Sequence, residues 1–586
     1  MRKGAALACT LLLVLLCSVP SEGKEYKDGE IVSFFVNTIG PFANPSEIYR
    51  YYSLPVCAPK SGNRDPHRGF HLGETLEGDK FLRSLYELKF KDNEEDKPLC
   101  QRTFTLSDIN TLKQAIDEHY YWELICDGLP VHGFLGTTDI ATGNHYLFTH
   151  VEFKLLYNGE RIIAVNATST ASDVVELETL AALSTDAARK VSFTYSVKWF
   201  PTDISFERRN YLASEFFNSE MEIHWLAIMN SFVLVILLTG FLAIIIMRVL
   251  KSDYTRYNDE EQDEEDYGWK LIHGDVFRFP PNKNLFCACV GVGAQFLCVA
   301  IGILLLALAG MFHPNSRGSL YTVAIVLYAL TSAIGGYVSG NLFRKMGGQK
   351  WAWNIMLTAG LFVVPFVMIF SVVNSVAISY GSTTAVPFSG IIVVFLILVF
   401  VGLPLTILGG IAGRRIGSGE FEAPCRTKNF PREIPLIPWY RQAPMQMVMA
   451  GFLPFSAIYI ELYYIYSSVW GHNAYTLFGI LFLVFIILII VTACITIALT
   501  YFQLSMEDYR WWWRSFASGG STGLFIYVYS FFYFMYRSEM HGFLQLSFYF
   551  GYMALVCWFF FIMLGTVGFY SSLLFVRSIY RQIHID

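Results

Sequence analysis

Nine apolar runs, each of about 20 residues or more, fill the chain after residue 222. A helix of about 20 apolar residues crosses the hydrocarbon core of a bilayer, so each run is long enough to span it. The runs are 225–249, 285–311, 320–342, 352–376, 386–412, 447–469, 475–503, 519–536 and 546–576. The sequence therefore predicts a polytopic α-helical membrane protein with nine transmembrane helices, and the short, Tyr-rich eighth run is the weakest of them.

Composition excludes several other classes of protein. Charged residues make up 16% of the 586 residues, against about 25% in soluble domains. The mean hydropathy is +0.42, which one soluble core cannot produce at this length. A soluble globular enzyme, a disordered chain and a coiled coil are excluded, and the net charge of −5 argues against a nucleic-acid partner.

The basic residues between the runs predict the orientation. Loops on one side of the predicted membrane carry 19 Lys and Arg residues, whereas the short loops on the other side carry only Arg317 and Arg537. Cytosolic loops are enriched in Lys and Arg. We therefore expect the C-terminus in the cytosol and the chain before the first span in the lumen.

Residues 1–23 predict a signal peptide, because Arg2 and Lys3 precede an apolar run of about 12 residues, too short to span a bilayer. An uncleaved N-terminal anchor is the alternative. Residues 24–222 have the composition of a soluble domain with several strand-like stretches, and the Asn158–Gly159 pair favours a hairpin turn. Ser107 is a plausible N-cap of a helix over 107–123. We expect an N-terminal β-rich lumenal domain.

Two covalent features suit a lumenal domain. Asn166 begins the domain's one N-x-S/T triplet without a central Pro, and predicts N-glycosylation. Three cysteines allow at most one disulfide within the domain. Cys57 and Cys100 are the preferred pair, since both lie in loop-like sequence, and Cys126 is expected to be a buried free thiol.

The remaining chain divides into a transmembrane domain over 223–577 and a cytosolic tail over 578–586. The first cytosolic loop, 250–284, contains seven acidic residues within 259–266. Such a run is typical of a solvated segment that stands away from anionic lipid. The sequence shows no phosphate loop, zinc motif or serine nucleophile elbow, so we predict no enzyme activity and no cofactor or metal.

Glu461 is the acidic residue that lies deepest in a predicted span. A charged group there is costly, so it should face a partner or a wet cavity. It either anchors the bundle through hydrogen bonds or serves a proton- or cation-linked site. Under the second interpretation, the alternative function is that of a transporter or channel. Gly336 with Gly340, and Gly409 with Gly413, have the spacing of close helix packing, either internal or with client helices.

Several motifs resemble the nonaspanins, the transmembrane 9 superfamily. They are residues 267–270 (YGWK) with 273–278 (HGDVFR), 451–455 (GFLPF) with 461–464 (ELYY), 507–511 (EDYRW) and 548–552 (FYFGY). Residues 426–429 (RTKN) and 508–514 (DYRWWWR) are most similar to the member 1 branch.

The resemblance implies a sorting factor of Golgi, endosomes and lysosomes. Such proteins help to localise other membrane proteins, notably clients with Gly-rich transmembrane helices, and have links to autophagy and adhesion. The family also ends in a Lys-x-Asp/Glu signal that the COPI coat reads. Here the last residues are His584, Ile585 and Asp586, so His replaces the Lys. A largely neutral imidazole would weaken coat binding.

Overall fold

The computed structural model describes residues 24–59, 72–169, 173–183, 189–209, 225–257, 268–312, 318–416, 421–435, 438–472 and 477–581. The predicted signal peptide, the acidic run 259–266 and the tail residues His584, Ile585 and Asp586 lie outside these ranges.

Within the described ranges, the N-terminal region contains twelve strands and three short α-helices. The strands are β1 (Phe34–Pro41), β2 (Tyr49–Arg50), β3 (Leu82–Arg83), β4 (Glu94–Thr103), β5 (Tyr120–Cys126), β6 (Leu129–Phe134), β7 (Gly136–Thr138), β8 (His145–Phe148), β9 (His150–Asn158), β10 (Arg161–Thr168), β11 (Val174–Glu176) and β12 (Lys190–Pro201). The helices are α1 (Leu72–Glu77), α2 (Leu106–Asp117) and α3 (Leu177–Ala182).

Three sheets organise these strands. One has the order β2-β1-β5-β6, with β3 also paired to β1; the others have the orders β10-β9-β12-β4 and β11-β8-β7. Strands β9 and β12 run parallel, whereas the other neighbours in that sheet are antiparallel. The predicted hairpin is confirmed, since Asn158 pairs with Arg161 and Gly159 has a φ of 63°. Apolar residues of the first two sheets pack into one core that includes Phe153 and Trp199.

The C-terminal region is helical. Its helices are α4 (Trp225–Tyr257), α5 (Lys283–Leu308), α6 (Ser319–Lys345), α7 (Trp351–Ser379), α8 (Phe388–Ile397), α9 (Leu403–Ile416), α10 (Ala443–Val469), α11 (Phe478–Ser505), α12 (Trp511–Tyr536) and α13 (Phe543–Arg581). A π-helical turn, Leu398–Gly402, joins α8 to α9, so that Phe388–Ile416 forms one span.

Seven of these segments are long and apolar enough to cross a membrane within the described ranges, and Met229–Ile245 of α4 is a shorter apolar helix. The predicted eighth run lies in α12, whose Ser, Gly and Tyr residues make it less apolar than the seven. An N-terminal β-containing domain followed by a multi-helix membrane region is thus the observed architecture.

The N-terminal domain rests on the bundle at the end where α6 begins. Helix α1 approaches α6 so closely that a Cβ on Gly73 would lie 2.4 Å from the carbonyl oxygen of Gly318. The opposite end of the bundle, where α6 ends and α7 and α12 begin, is called the basic end below because Arg344, Lys345 and Arg510 lie there.

Candidate functional site: polar groups within and at the ends of the bundle

Glu461 lies on the buried face of α10. Its side chain is within the protein, with a residue exposure of 9%, and Ala457, Ile458 and Leu462 beside it are also buried. One turn earlier, Ser231 of α4 donates a hydrogen bond to the carbonyl oxygen of Ala457 at 2.8 Å. Glu461 therefore faces neighbouring helices rather than lipid, as a carboxyl group in a membrane must.

The helix face around Glu461 is rich in tyrosine. The rings of Tyr466 and Tyr533 on α12 lie 5.2 Å apart between centroids, and those of Tyr459 and Tyr529 lie 5.3 Å apart. Tyr466 also donates its hydroxyl to the carbonyl oxygen of Ile526 at 3.2 Å. The predicted spans contain no other Asp or Glu with which Glu461 could form a carboxylate relay. This setting favours a hydrogen-bonded anchor between helices.

The predicted glycine pairs pack against each other. A Cβ on Gly336 would lie 2.1 Å from the carbonyl oxygen of Thr406, and one on Gly409 would lie 2.0 Å from that of Ala333. Helices α6 and α9 therefore touch backbone to backbone along this face. The interpretation of internal packing is confirmed for these glycines, and this face is not open to a client helix.

A cluster of ion pairs at the basic end brings together motifs that lie far apart in sequence. The fully buried carboxylate of Asp508 accepts hydrogen bonds from Arg510 Nε at 3.1 Å and from Arg514 Nη1 at 2.6 Å. The carboxylate of Asp275 accepts two from Arg278, at 3.0 and 2.6 Å. Both buried carboxyl groups are therefore paired with arginine side chains, which is how a buried carboxylate is stabilised.

Residue Arg432 links the two halves of this cluster. Its backbone N–H points to Asp275 Oδ2 at 3.3 Å, and its Nη2 donates to Glu507 Oε2 at 3.0 Å. Trp511 adds a hydrogen bond from its indole to the carbonyl oxygen of Val276 at 2.8 Å. The backbone N–H of Lys428 donates to the carbonyl oxygen of Gly274 at 2.8 Å. The resembling motifs 273–278, 426–429 and 507–511 thus form one contact network, which we call the motif cluster.

The contacts of the motif cluster are of the kind that hold loops together. His273 Nδ1 lies 3.0 Å from the carbonyl oxygen of Lys270, whereas Asp275 is engaged by Arg278 and Arg432, so the two do not form a His–Asp pair. Across the described ranges, no group of three His, Cys, Asp or Glu residues has the geometry of a metal site.

The covalent positions predicted from the sequence lie in the N-terminal domain. Cys57 and Cys100 are joined by a disulfide, with their Cα atoms 6.1 Å apart, and Cys126 is a buried free thiol whose pKa is raised by burial. Asn166 is exposed on the edge strand β10, opposite Lys154. An apolar cavity of about 50 Å³ beside Cys57 is far smaller than the ~300 Å³ of the smallest ordinary ligand pockets.

A second contact region joins the N-terminal domain to the bundle, and no sequence motif announced it. The docking loop, residues 42–48 between β1 and β2, makes several hydrogen bonds to the bundle. Ser46 donates its N–H to Gln545 Oε1 at 2.9 Å, and Asn44 Oδ1 accepts the N–H of His541 at 2.9 Å. Ser382 Oγ donates to the carbonyl oxygen of Ile48 at 2.8 Å. These partners are more than 300 residues apart in sequence, so only the fold reveals them.

His472 completes this junction just after α10 ends. Its Nε2 lies 2.7 Å from the carbonyl oxygen of Phe42, and the two rings stack with centroids 4.2 Å apart. Burial lowers the pKa of His472, an effect that the hydrogen bond to Phe42 partly opposes and that nearby His132 reinforces. The lowered pKa favours the neutral imidazole at this contact with the domain.

Comparison with known proteins finds relatives that match nearly the whole chain. Residues 48–543 match the family described as Endomembrane protein 70. The chain is 54% identical to the Dictyostelium discoideum protein named "Putative phagocytic receptor 1b", with 99% of this chain and 98% of that protein covered. It is 50% identical to Transmembrane 9 superfamily member 3 of Arabidopsis thaliana, over 96% and 95% of the two chains.

The similarity extends to animal members. The chain is 48% identical to Transmembrane 9 superfamily member 1 of Bos taurus, over 98% of this chain and 97% of that protein. No solved structure matches the chain. Identity at this level over the full length, together with the observed architecture, shows that the chain belongs to the Endomembrane protein 70 family of the transmembrane 9 superfamily.

Proposed function

We propose that this protein is a non-enzymatic sorting factor of the endomembrane system. It helps to localise other membrane proteins, including clients with Gly-rich transmembrane helices. The protein itself is located in the Golgi, endosomes and lysosomes. The observation that carries the proposal is the full-length similarity to transmembrane 9 superfamily members, one of whose relatives is named as a phagocytic receptor. Both a trafficking and an adhesion role fit a membrane protein of this kind, and autophagy is a further process in which we expect it.

The docked N-terminal domain supports a role in recognition. Contacts through Asn44, Ser46 and Ile48 hold the domain against the bundle, so the two present one continuous surface. The glycine-rich faces of α6 and α9 are already occupied by each other. A client helix would instead meet α4, where a Cβ on Gly240 would have no neighbour within 4 Å. Helix α4 is therefore our proposed contact for client helices.

Depletion followed by quantitative surface proteomics, with proximity labelling from the tagged protein, tests the proposal. We expect a subset of labelled membrane proteins to change location, and we expect wild type to restore it. Gly240→Leu should restore it less well, because the larger side chain fills the open position on α4. Gly360→Leu on α7, whose nearest neighbour is Val364 of its own helix at 3.6 Å, is the matched control. Unchanged locations after depletion would contradict sorting.

A transporter or channel is the second candidate, because Glu461 is a buried carboxyl group in a helix that also contains Pro454. Reconstituted protein in liposomes under a pH or cation gradient tests it. Flux that Glu461→Gln abolishes, and that Glu422→Gln at the exposed basic end leaves intact, would displace the sorting proposal. We expect no such flux.

The predicted orientation and tail belong to the same proposal. With the basic end in the cytosol, the N-terminal domain is lumenal and Asn166 is open to glycosylation. Imaging His584→Lys beside wild type tests the tail. A shift toward the Golgi would show that His584 weakens COPI retention, and an unchanged distribution would remove that role from residues 584–586.

A further inference from the structure

A long stretch of this chain has no acidic residue. From Val276 to Gly419 the sequence contains neither Asp nor Glu, although it covers α5 to α9. Six of its cations lie at the basic end of the bundle, at the start of α5, the end of α6, the start of α7 and the end of α9. This group, which we call the basic patch, comprises Lys283, Arg344, Lys345, Lys350, Arg414 and Arg415.

The helix ends of the basic patch are fixed to one another. Arg344 Nη1 donates a hydrogen bond to the carbonyl oxygen of Arg414, which joins α6 to α9. The guanidinium of Arg414 lies 5.5 Å from the ring centroid of Trp351, which joins α9 to α7. Lys283 Nζ donates to the carbonyl oxygen of Met346 at 3.1 Å. The cations are therefore held on a rigid frame of four helix ends.

The basic patch differs from the rest of the basic end in its charge balance. In the motif cluster, Arg278, Arg432 and Arg514 each contact a carboxylate. Within the parts of the chain that the structure describes, Lys345, Lys350 and Arg415 form no ion pair, and Lys350 and Arg415 are exposed. Concentrated positive charge without a compensating acid attracts polyanions.

Aromatic side chains place the basic patch at the level of lipid headgroups. Trp351 and Trp353 are 36% and 53% exposed at the start of α7, directly after Lys350. Trp residues at helix ends occupy the membrane–water interface. A ligand that meets these cations at that depth is therefore a headgroup in the same leaflet rather than a solute far from the membrane.

We propose that the basic patch binds the phosphorylated headgroup of an inositol phospholipid. Planar guanidinium groups match phosphate oxygens in pairs, and lysine ammonium groups add point charges around them. Basic pockets between transmembrane helices on the cytosolic side bind such headgroups in membrane proteins. This lipid site goes beyond the proposed sorting function. The two proposals are tested separately, because lipid binding is measured on the purified protein without any client.

Binding of a short-chain phosphatidylinositol bisphosphate to the full-length protein in detergent tests the proposal. Native mass spectrometry and fluorescence titration should show that wild type retains this lipid above phosphatidylcholine and phosphatidylserine of equal chain length. Lys345→Gln combined with Arg415→Gln should weaken binding about 30-fold, since each cation near a membrane surface contributes about a fivefold factor. Neither side chain holds another helix end in the contacts described above.

The matched control removes two cations from the same end but outside the basic patch. Arg426→Gln combined with Arg581→Gln changes two exposed positions, and binding should stay at the wild-type level. An equal loss in both double variants would show general charge attraction and overturn the proposal. Wild-type binding no tighter than for phosphatidylcholine would also overturn it. Soluble inositol phosphate that binds as tightly as the lipid would assign the patch to a free anion and reject the lipid.

Discussion

His145 lies between two carboxylates in the N-terminal domain. Its Nδ1 is 2.8 Å from Glu178 Oε1, and its Nε2 is 2.8 Å from Asp117 Oδ1. Both ring nitrogens donate only in the imidazolium, so two neighbouring carboxylates favour the charged form of His145. Burial disfavours that charge, but the hydrogen bonds that His145 donates to Glu178 and Asp117 outweigh this effect and raise the pKa of His145. Burial likewise opposes ionisation of Glu178, yet hydrogen bonds from Lys113 and His145 lower its pKa to about 2.

This contact should depend on pH with a definite sign. A raised His pKa gives stability that is complete below the unfolded value of about 6.5 and is lost as pH rises through the folded value. The lowered pKa of Glu178 gives stability above about 4.3 that is lost as pH falls toward 2. We expect His145→Gln to destabilise α3 and β8 by about 1 kcal/mol at pH 5.5, and by less at pH 8.

Hydrogen exchange of the peptides that contain α3 and β8, at both pH values, measures this difference. His119→Asn is the control, because His119 is exposed and its φ of 51° suits Asn. Equal exchange in wild type and His145→Gln at pH 5.5 would show that the imidazolium contributes nothing there.

At the scale of elements, the closest helix contact makes a sharp prediction. A Cβ on Gly336 would meet the backbone of Thr406, which cannot move without separating α6 from α9. We expect Gly336→Ala to destabilise the bundle by about 1–3 kcal/mol, as overpacked cores do. Gly240→Ala on α4 meets no atom within 4 Å and should be neutral or slightly stabilising, since Ala favours helices over Gly. Thermal unfolding in detergent compares the two, and equal midpoints would contradict the close packing.

Element types were easier to predict than element ends. Hydropathy located the membrane helices because a helix needs only sufficient length and apolar side chains to span the bilayer. The predicted helix over 107–123 was too long: α2 ends at Asp117, because His119 takes a left-handed conformation and β5 begins at Tyr120. Its N-cap is Thr105, which forms a capping box with Asp108, and not Ser107. The apolar pattern continued through the turn because both elements bury a face in the same domain.

Some of the candidate sites could be predicted from the sequence and others could not. Glu461 was visible in the sequence because one acid in an apolar run is conspicuous, and the motif cluster was visible through family resemblance. The geometry of the motif cluster could not be predicted from the sequence, since Arg432 contacts Asp275 and Glu507 only after three loops meet. The docking loop and the His145 contact were missed altogether. Their partners come from distant elements, and no local spacing of residues encodes such pairs.

At the scale of the whole molecule, the docking loop decides whether domain and bundle move as one body. Asn44 is 1% exposed, accepts the N–H of His541 at 2.9 Å and donates to Glu47 Oε2 at 2.8 Å. Asn44→Ala leaves both groups without their partner, and a buried group so orphaned costs about 1–3 kcal/mol. We expect this cost to loosen docking while the N-terminal sheets stay folded, because their core does not include Asn44.

Hydrogen exchange separates these two effects in one experiment. In Asn44→Ala, amides near His541 and Thr383 should exchange faster, since Thr383 donates its N–H to Ile48 in the same loop at 2.8 Å. Amides of β9 and β12 should keep wild-type protection, because those strands pair within the domain core. Asn110→Ala, an exposed change on α2, controls for loss of an amide side chain. Faster exchange throughout β9 and β12 would mean that Asn44 stabilises the domain itself, and unchanged exchange at His541 would mean that the loop does not hold the two parts together.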